Sequence, residues 1–272
     1  MFKFHYFNIK YIYMGKKVIT YCLFGNKLKY CHGIIEAVLS CNLIFLDWEV
    51  WVYYSNGKQK VPESVIKVLS NLNCKLIPFA ESNTCKGEDI EGMMWRFAPL
   101  GDESVDVWLC RDADSRSSFR EKKMIDEFLK SDKAVHSILD HHCHGNLMGC
   151  NFGIHNIRVR ERYPEKILNM SNYIPELASK KEIRRGYDQN WIGEHFMSIM
   201  RNKKDVLVHL SNNQGCLERC HIGGLTPLKD HYETILTETT TNFCGKQINY
   251  SHSRLSRPLI EIENLELEGT VI

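Results

Sequence analysis

Strand-like and helix-like patterns alternate along the first half of this chain, and that alternation constrains its fold more than any other feature. β-Branched and aromatic runs predict strands at residues 18–24, 50–54 and 76–79, and apolar residues at helical spacing predict helices at residues 30–39 and after Pro62. Strands that alternate with helices build parallel sheets. We therefore predict an α/β fold whose mostly parallel sheet is covered by helices on both faces.

The length and charge of the chain bound its class. With 272 residues, of which 43% are hydrophobic, the chain can bury the core of one large domain or of two small ones. Its 35 basic and 33 acidic residues give a formal net charge of +2, so no global field attracts nucleic acid or an anionic membrane. The basic residues neither cluster nor interleave with aromatic residues as a nucleic-acid face requires. No nucleic-acid partner is expected.

The cysteines and the amino-terminal segment indicate the cellular compartment. Eleven cysteines at irregular spacings, with no cleavable signal sequence, favour reduced thiols and a cytoplasmic location. Residues 1–13 are aromatic but interrupted by lysines and His5, so they are too short and too polar to span a bilayer. No transmembrane segment is expected, although an interfacial anchor stays open as an alternative role for this segment.

We divide the chain into an amino-terminal tail, residues 1–14, and one domain, residues 15–272. Within the domain we separate a first half, residues 15–130, from a second half, residues 131–250. A carboxyl-terminal tail follows from about residue 250. The pattern after residue 163 is looser, and predicts only a helix at residues 191–200, a strand at residues 206–210 and a loop at residues 238–257.

A further strand is predicted over residues 105–109, with its valines and leucine on one face. It is followed directly by the sequence Arg-Asp-Ala-Asp-Ser-Arg at residues 111–116. Ser118 is followed three residues later by Glu121, and this capping box predicts a helix at residues 119–130. The Asp-x-Asp sequence therefore lies in a short loop after the carboxyl end of a strand, where open α/β sheets bind their ligands.

The two aspartates of this loop, Asp112 and Asp114, have the spacing that places both carboxylates on one side of an extended or turning backbone. Carboxylate oxygens suit a hard divalent cation, and phosphate oxygens and water complete its coordination shell. The pattern predicts Mn²⁺ or Mg²⁺ held against a diphosphate. The alternative is a solvated acidic turn that only caps the following helix.

These residues resemble the GT-A fold glycosyltransferases, and in particular a group common in large DNA viruses and some bacteria. The resemblance extends from about residue 17 to residue 249, and it implies that residues 15–130 are the nucleotide-binding half and residues 131–250 the acceptor and metal half. Five segments carry it, and the Asp-x-Asp segment is the most specific of them. The segments are residues 21–30, residues 47–54, residues 111–121, residues 140–153, and residues 187–189 together with 208–211.

Two of these segments depart from the family pattern. Residues 140–144 stand where the family usually has Arg-Asp-His-Pro, and Cys150 stands where it has a second glycine. The family pattern at residues 209–211 is His-Asp-Ser, whereas this chain has Leu210 in the middle position. These departures concern the acceptor side of the transfer more than the metal side.

The resemblance implies a metal-dependent hexosyltransferase that uses a nucleotide sugar, expected to be a UDP-sugar, and a glycan or protein acceptor. It implies Mn²⁺ or Mg²⁺ as the cofactor, with His209 as a third metal ligand beside the two aspartates. A histidine that caps a strand with ordinary hydrogen bonds is the alternative for His209. The residues implied in nucleotide-sugar binding are Leu23, Phe24, Gly25, Asn26, Tyr30, Arg111, Asp112, Ala113, Asp114 and Arg116.

The stereochemistry has two candidate solutions. Asp188 and Gln189 resemble part of the Asp-Gln-Asp sequence of the retaining galactosyltransferase and glycogenin family, and this resemblance slightly favours retention. In an inverting enzyme Asp140 would be the general base that activates the acceptor hydroxyl. Arg111, Arg116 and Arg120 have guanidinium groups suited to pyrophosphate, although one or two of them are expected to bridge to Glu121 or to the helix surface instead.

Three alternatives to this function stay open. A sugar nucleotidyltransferase would need a glycine-rich loop after the first strand, where this chain has only Gly25. A catalytically silent glycan-binding or structural protein would keep the fold without turnover. A structural zinc site is the third alternative, and it would draw on histidines and cysteines within residues 141–150 and 216–221, which lack paired Cys-x-x-Cys spacing.

Overall fold

The computed structural model describes residues 15–81, 91–141, 147–180, 183, 186–211 and 233–237, and its described strands form one eight-stranded sheet. The strand order is β3-β2-β1-β4-β6-β5-β7-β8. The strands are β1 (Lys16–Leu23), β2 (Glu49–Ser55), β3 (Lys75–Phe79), β4 (Val105–Cys110), β5 (Val135–Leu139), β6 (Phe152–His155), β7 (Val206–Ser211) and β8 (Glu233–Thr237).

Only β6 runs against its neighbours. It pairs antiparallel with both β4 and β5, whereas every other pair in the sheet is parallel. β2 pairs with β1 on one side and with β3 on the other. β4 pairs with the free side of β1, where Ile19 lies opposite Leu109. The predicted α/β fold with a mostly parallel sheet is therefore confirmed.

Helices cover both faces of the sheet. The α-helices are α1 (Leu28–Ile44), α2 (Glu63–Ser70), α3 (Phe119–Lys130), α4 (Asn156–Arg162), α5 (Met170–Lys180) and α6 (Tyr187–Met200). Short 3₁₀ segments occupy Glu91–Gly101, Pro164–Lys166 and Lys203–Asp205. One buried apolar cluster packs α1, α2 and α3 against the sheet, and a second packs the segment Glu91–Gly101 with α4, α5 and α6 against the other face. The sheet is thus the middle of three layers.

Helix α3 has the bounds that its capping box predicts. The hydroxyl of Ser118 accepts a hydrogen bond from the backbone N–H of Glu121 at 3.1 Å, which satisfies one of the donors that a helix start leaves unpaired. Met124, Ile125 and Phe128 are buried on the inner face. A cap of this type stabilises a helix by about 1 kcal/mol, so the local sequence itself fixes where the preceding loop ends.

The prediction for β4 needs one correction. Val107 and Leu109 pack in the cluster with α1, but Val105 packs in the cluster on the opposite face. The pairing of β1 with β4 shifts between Lys16 and Lys17, which lie opposite Val105 and Val107. This irregularity adds one residue to β4 and reverses the alternation of side chains before it.

The tails and the loop at residues 238–257 lie outside the described residues. Of the cysteines, six fall in the described part of the chain, and all six are free thiols. No described helix has the length and apolar character needed to cross a membrane.

Candidate active site

The candidate site lies at the carboxyl edge of the sheet. β1 and β4 are parallel neighbours, so the loops that follow Leu23 and Cys110 leave the sheet at the same edge. The backbone N–H of Arg111 still donates to the carbonyl of Thr20 at 3.0 Å, and the chain then leaves the sheet. Ser115 closes a tight turn, because its N–H and its hydroxyl both donate to the carbonyl of Asp112, at 3.1 and 2.7 Å. This turn contains both aspartates.

The turn packs directly on helix α1. A Cβ atom added to Gly33 would lie 2.7 Å from the carbonyl oxygen of Ala113 and 2.8 Å from the Cα atom of Asp114. Only glycine permits this approach of the two backbones. Ala113 and Asp114 are consequently buried, whereas Asp112 is half-buried and borders solvent.

Asp114 is paired with a lysine from the first turn of the same helix. Lys29 Nζ lies 2.6 Å from Asp114 Oδ2. The carboxylate side chain is only 3% exposed, whereas the lysine side chain is 40% exposed. A buried carboxylate needs a counter-charge, and Lys29 supplies it.

Asp112 is paired with Arg96, which the sequence does not single out. The guanidinium of Arg96 extends from the segment Glu91–Gly101, and its Nη1 donates to Asp112 Oδ1 while its Nη2 donates to Asp188 Oδ2 at 2.5 Å. The Arg96 and Asp188 side chains are 2% and 1% exposed, and that of Asp112 is 38% exposed. Arg96 therefore joins the Asp-x-Asp loop to the amino-terminal end of α6.

A glycine makes room for this guanidinium. A Cβ atom added to Gly149 would lie 2.1 Å from Arg96 Nη2, and the Gly149 carbonyl accepts from Arg96 Nη1 at 3.4 Å. Gly149 belongs to the segment that resembles the family, but the contact that requires a glycine there is visible only in the structure. Cys150, next along the chain, is buried, and burial raises the pKa of its thiol.

Arg111 is built into the core. Its Nε donates to Glu121 Oε1 at 2.6 Å, and its Nη1 donates to the carbonyls of Cys110 and Phe152 at 2.6 and 3.0 Å. Both charged side chains are 2% exposed. The expected bridge to Glu121 is thus the one that Arg111 makes, and its guanidinium faces the protein interior.

The other two arginines of the predicted set differ. Arg120 pairs through Nη1 with Asp140 Oδ2, and the Asp140 side chain is fully buried. Arg116 is exposed. Arg116 is therefore the member of the predicted set that solvent and a ligand can reach.

His209 lies away from the two aspartates, in the buried interior of β7. Its Nε2 lies 2.7 Å from Glu127 Oε2, and its Nδ1 lies 2.7 Å from Nε2 of His136 on β5. Burial lowers the pKa of both histidines, and hydrogen bonding to Glu127 only partly offsets this for His209. Both are neutral at pH 7, so His209 donates to Glu127 and accepts from His136.

The turn after β1 has the features expected of a loop near a ligand. Gly25 adopts a φ of 72°, and its N–H donates to the carbonyl of Gln59 at 2.7 Å. Leu23 is buried and Phe24 is half-buried, whereas Asn26 and Tyr30 are exposed. A cavity of about 300 Å³ lies at the end of β2, lined by Tyr54, Ser55, Asn56, Lys60, Val61, Glu63 and Ile66.

The candidate catalytic residues Asp188, Gln189 and Asp140 differ in their exposure to solvent and in the elements that carry them. Asp188 and Gln189 lie in the first turn of α6, which begins after Gly186 with a φ of 85°. Asp188 is buried and its Oδ1 has no hydrogen-bond partner among the described residues, whereas Gln189 is exposed. Asp140 follows β5 at the same edge of the sheet and is buried against Arg120.

The donor chemistry of the site fits the divalent metal that the resemblance implies. Asp112 and Asp114 offer carboxylate oxygens, and Mg²⁺ sites commonly use one or two carboxylates together with water and substrate phosphates. Asp188 Oδ1, which no described residue hydrogen-bonds, adds an acceptor to the ion-pair network around Asp112. Among the described residues, no three His, Cys, Asp or Glu side chains are grouped closely enough to hold a metal ion by themselves. The two aspartates are the residues that would hold it.

Most residues of the alternative zinc site, from 142–146 and 216–221, lie outside the described residues, as does everything between β7 and β8.

No protein-family model matches this chain, and no curated protein matches it by sequence. Solved structures do match. The galactosyltransferase LgtC, solved with donor and acceptor sugar analogues, is 15% identical with a TM-score of 0.46, and the match covers 94% of this chain and 97% of LgtC. The mannosyltransferase PcManGT from Pyrobaculum calidifontis, solved with GDP-Man and Mn²⁺, is 9% identical with a TM-score of 0.47, covering 96% and 67% of the two chains.

The TarS fragment from S. aureus is 12% identical with a TM-score of 0.43, and the match covers 67% of this chain. The chain spans about half of that fragment, 55% of its length. At these sequence identities and TM-scores, the similarity to solved structures does not indicate which reaction this chain catalyses.

Proposed function

We propose that this protein is a metal-dependent glycosyltransferase of the GT-A fold, which moves a hexose from a nucleotide sugar, a UDP-sugar, to an acceptor hydroxyl. One observation carries the proposal. The Asp-x-Asp turn lies at the carboxyl edge of a mostly parallel sheet, and Arg96 ties its first aspartate to Asp188 of α6. One of the predicted metal residues and a predicted catalytic residue thereby share one guanidinium.

The charge of this network suits a metal and a diphosphate. Among the described residues, the ion pairs at the turn join three carboxylates, Asp112, Asp114 and Asp188, with two cations, Arg96 and Lys29, so this network carries a formal charge of −1. A site with excess negative charge attracts a divalent cation, and the cation then attracts the diphosphate of the donor. When bound, the metal supplies Lewis-acid neutralisation of the charge that develops on the departing diphosphate.

The nucleotide part of the donor is assigned to the turn after β1. Leu23, Phe24, Gly25 and Asn26 form that turn, and the side chains of Asn26 and Tyr30 are open to solvent. The cavity at the end of β2 is assigned to the nucleoside, because its lining combines apolar and polar side chains and its Lys60 follows Gln59, which accepts from Gly25 of the turn. Arg116 is exposed beside the Asp-x-Asp turn and is assigned to a phosphate or a donor hydroxyl.

We propose that the transfer retains the anomeric configuration, with Asp188 and Gln189 beside the sugar. Arg96 connects Asp188 to Asp112, a predicted metal residue, whereas Asp140 pairs with Arg120; both carboxylates are buried, so the exposed Gln189 is the member of the pair that a sugar can reach. Inversion with Asp140 as the base would require Arg120 to release it. His209 as a third metal ligand would likewise require release from Glu127, so we assign the metal to the two aspartates first.

The test is a panel of nucleotide sugars scored for donor hydrolysis with Mn²⁺, because hydrolysis needs no knowledge of the acceptor. We expect slow hydrolysis of a UDP-sugar that EDTA abolishes, and its loss in Asp112→Asn and Asp114→Asn. Asp126→Asn is the matched control, since the Asp126 side chain is 39% exposed and that of Asp112 is 38% exposed, and Asp126 pairs with Lys122 on the surface of α3. Loss of hydrolysis in the control as well would show that the assay reports general damage.

A catalytically silent GT-A protein is the second candidate. It is favoured by one observation, namely that both carboxylates of the turn are already paired with side chains of the chain itself. That candidate predicts no hydrolysis of any donor, with or without Mn²⁺. A nucleotidyltransferase predicts instead the consumption of a nucleoside triphosphate with release of pyrophosphate, which the same panel detects when triphosphates and sugar phosphates are included.

A further inference from the structure

The two cations that pair with the Asp-x-Asp turn are held in different ways. Arg96 is 2% exposed, is fixed by Asp188 as well as by Asp112, and sits against Gly149. Lys29 reaches Asp114 from the outside of the turn with a side chain that is 40% exposed. Arg96 is therefore built into the core, whereas the Lys29 side chain lies at the protein surface, where its ammonium is also 5.3 Å from the centroid of the Tyr30 ring.

Lys29 and a divalent metal compete for the same carboxylate. An ammonium 2.6 Å from Asp114 Oδ2 and a metal ion bound to that carboxylate would be two cations within a few ångströms of each other. The repulsion between them weakens metal binding as long as Lys29 stays in place. The Asp114 side chain is only 3% exposed, so water screens this repulsion poorly.

A diphosphate removes the conflict, because it offers Lys29 another anion. Lysine is a flexible point charge with three donors, and it binds phosphate oxygens as readily as carboxylates. In the network of charge −1, a divalent cation alone reverses the sign of the site, whereas a cation together with a diphosphate leaves it negative. Lys29 can then pair with the phosphate oxygens and leave Asp114 to the metal.

We propose that Lys29 makes metal binding at Asp112 and Asp114 conditional on the nucleoside diphosphate. Without diphosphate, Lys29 neutralises Asp114 and the metal affinity is low. With diphosphate, Lys29 pairs with the phosphate oxygens and both ligands are held together. This inference rests on the proposed function and deepens it, since it assigns to one residue the coupling between the metal and the donor.

The experiment measures Mn²⁺ binding by electron paramagnetic resonance, with and without UDP, in the full-length protein. We expect Lys29→Met to bind Mn²⁺ alone about tenfold or more tighter than the wild type. UDP should then strengthen Mn²⁺ binding far less in this variant than in the wild type. Lys29→Arg keeps a cation in place and should bind Mn²⁺ alone as weakly as the wild type does.

Lys27→Met is the matched control. Lys27 lies two residues before Lys29, is exposed, and is the residue that precedes α1, so the same charge is removed close to the site. Its effect on Mn²⁺ affinity should stay within about twofold, because exposed charges are screened by salt. An equal effect in both variants would show that general field strength, and not the contact with Asp114, sets the affinity, and would overturn the proposal.

Thermal unfolding gives a second readout that does not depend on the first. Lys29→Met leaves Asp114 buried without its cation, so the metal-free variant should melt below the wild type, and Mn²⁺ alone should raise its melting temperature more than that of the wild type. Lys29→Gln, which keeps a hydrogen-bond donor, serves if the methionine variant does not fold. Unchanged or weaker Mn²⁺ binding in the variants that lack the cation refutes the proposal.

The outcome is separable from that of the proposed function. Tighter Mn²⁺ binding in Lys29→Met without hydrolysis of any donor would support the role of Lys29 and refute glycosyl transfer. Mn²⁺-dependent hydrolysis with unchanged metal affinity in Lys29→Met would support transfer and refute the role of Lys29.

Discussion

Replacing Arg96 by methionine should be among the most damaging single changes in the described part of the chain. The substitution leaves Asp188, 1% exposed, without the cation that neutralises it, and it removes the link to Asp112. Breaking a buried ion pair by removing one partner costs about 3–5 kcal/mol. For a large domain each kcal/mol lowers the melting temperature by about 2–4 °C, so the expected drop is about 6–20 °C.

The assay is chemical unfolding of four proteins: the wild type, Arg96→Met, Asp188→Asn, and the variant with both changes. The double variant should lose much less stability than the sum of the single losses, because each single change strands the partner that the other removes. Lys122→Met is the control, since its pair with Asp126 is half-exposed and should cost no more than about 0.5 kcal/mol. A loss below about 1 kcal/mol in Arg96→Met, or simple additivity with Asp188→Asn, would refute the account of this network.

Three further predictions concern other parts of the structure. Burial holds the pKa of His136 and His209 below that of an unfolded histidine, so below about pH 6.5 the unfolded chain binds protons that the folded chain does not bind. The free energy of unfolding should therefore fall by up to about 1.4 kcal/mol per pH unit per histidine. Urea unfolding at pH 7.5 and 5.5 measures this change, and a higher unfolding midpoint at pH 5.5 would contradict it. Gly33→Ala places a Cβ atom 2.7 Å from the carbonyl oxygen of Ala113 and should displace the Asp-x-Asp turn. We expect the variant to lose Mn²⁺ binding at nearly unchanged helix content, and unchanged binding would show that the turn accommodates the added methyl group. Gln189→Ala should lower kcat about tenfold or more with little change in donor affinity, because the contact belongs to the transition state; loss of donor binding instead would reassign Gln189 to ground-state recognition.

The elements that the sequence predicts well have strong local causes. Helix α3 runs over Phe119–Lys130 as predicted, because Ser118 caps it and its apolar residues follow one face. The sequence also predicts helix α1 and strands β1 and β2. Helix α1 extends two residues before and five residues after its predicted range, and β2 extends one residue at each end, whereas β1 begins two residues early and ends one residue before its predicted end. Periodicity marks the middle of an element clearly, whereas its ends depend on contacts with neighbouring elements.

The elements that were not predicted lack such local causes. The segment Glu91–Gly101 is a 3₁₀ helix, whose turn does not produce the spacing expected of an α-helix. Strand β6 is only four residues long and is held by its pairing with β4 and β5. Strand β5 is buried throughout but carries His136 and Ser137. Its sequence therefore shows neither the alternating pattern of a half-buried strand nor the continuous apolar pattern of a fully buried one.

The site shows the same division between local and distant causes. The Asp-x-Asp turn at the end of β4 was predicted from adjacent residues. The role of Arg96 depends on partners 16 and 92 residues away in sequence, so nothing near it marks it as part of the site. The contacts of His209 with Glu127 and His136 are likewise 82 and 73 residues apart, and they occupy both of its ring nitrogens.

The most direct test of the central claim is the melting temperature of the protein with UDP, in the presence of Mn²⁺ or of EDTA. A ligand at a hundred times its dissociation constant stabilises the folded state by about 2.7 kcal/mol, which corresponds to a rise of about 5–10 °C for a domain of this size. We expect a rise of that order with UDP and Mn²⁺, almost none with UDP and EDTA, and almost none with either mixture in Asp114→Asn. An equal rise with UDP in EDTA would contradict the claim that a metal held by Asp112 and Asp114 joins the donor diphosphate to this site.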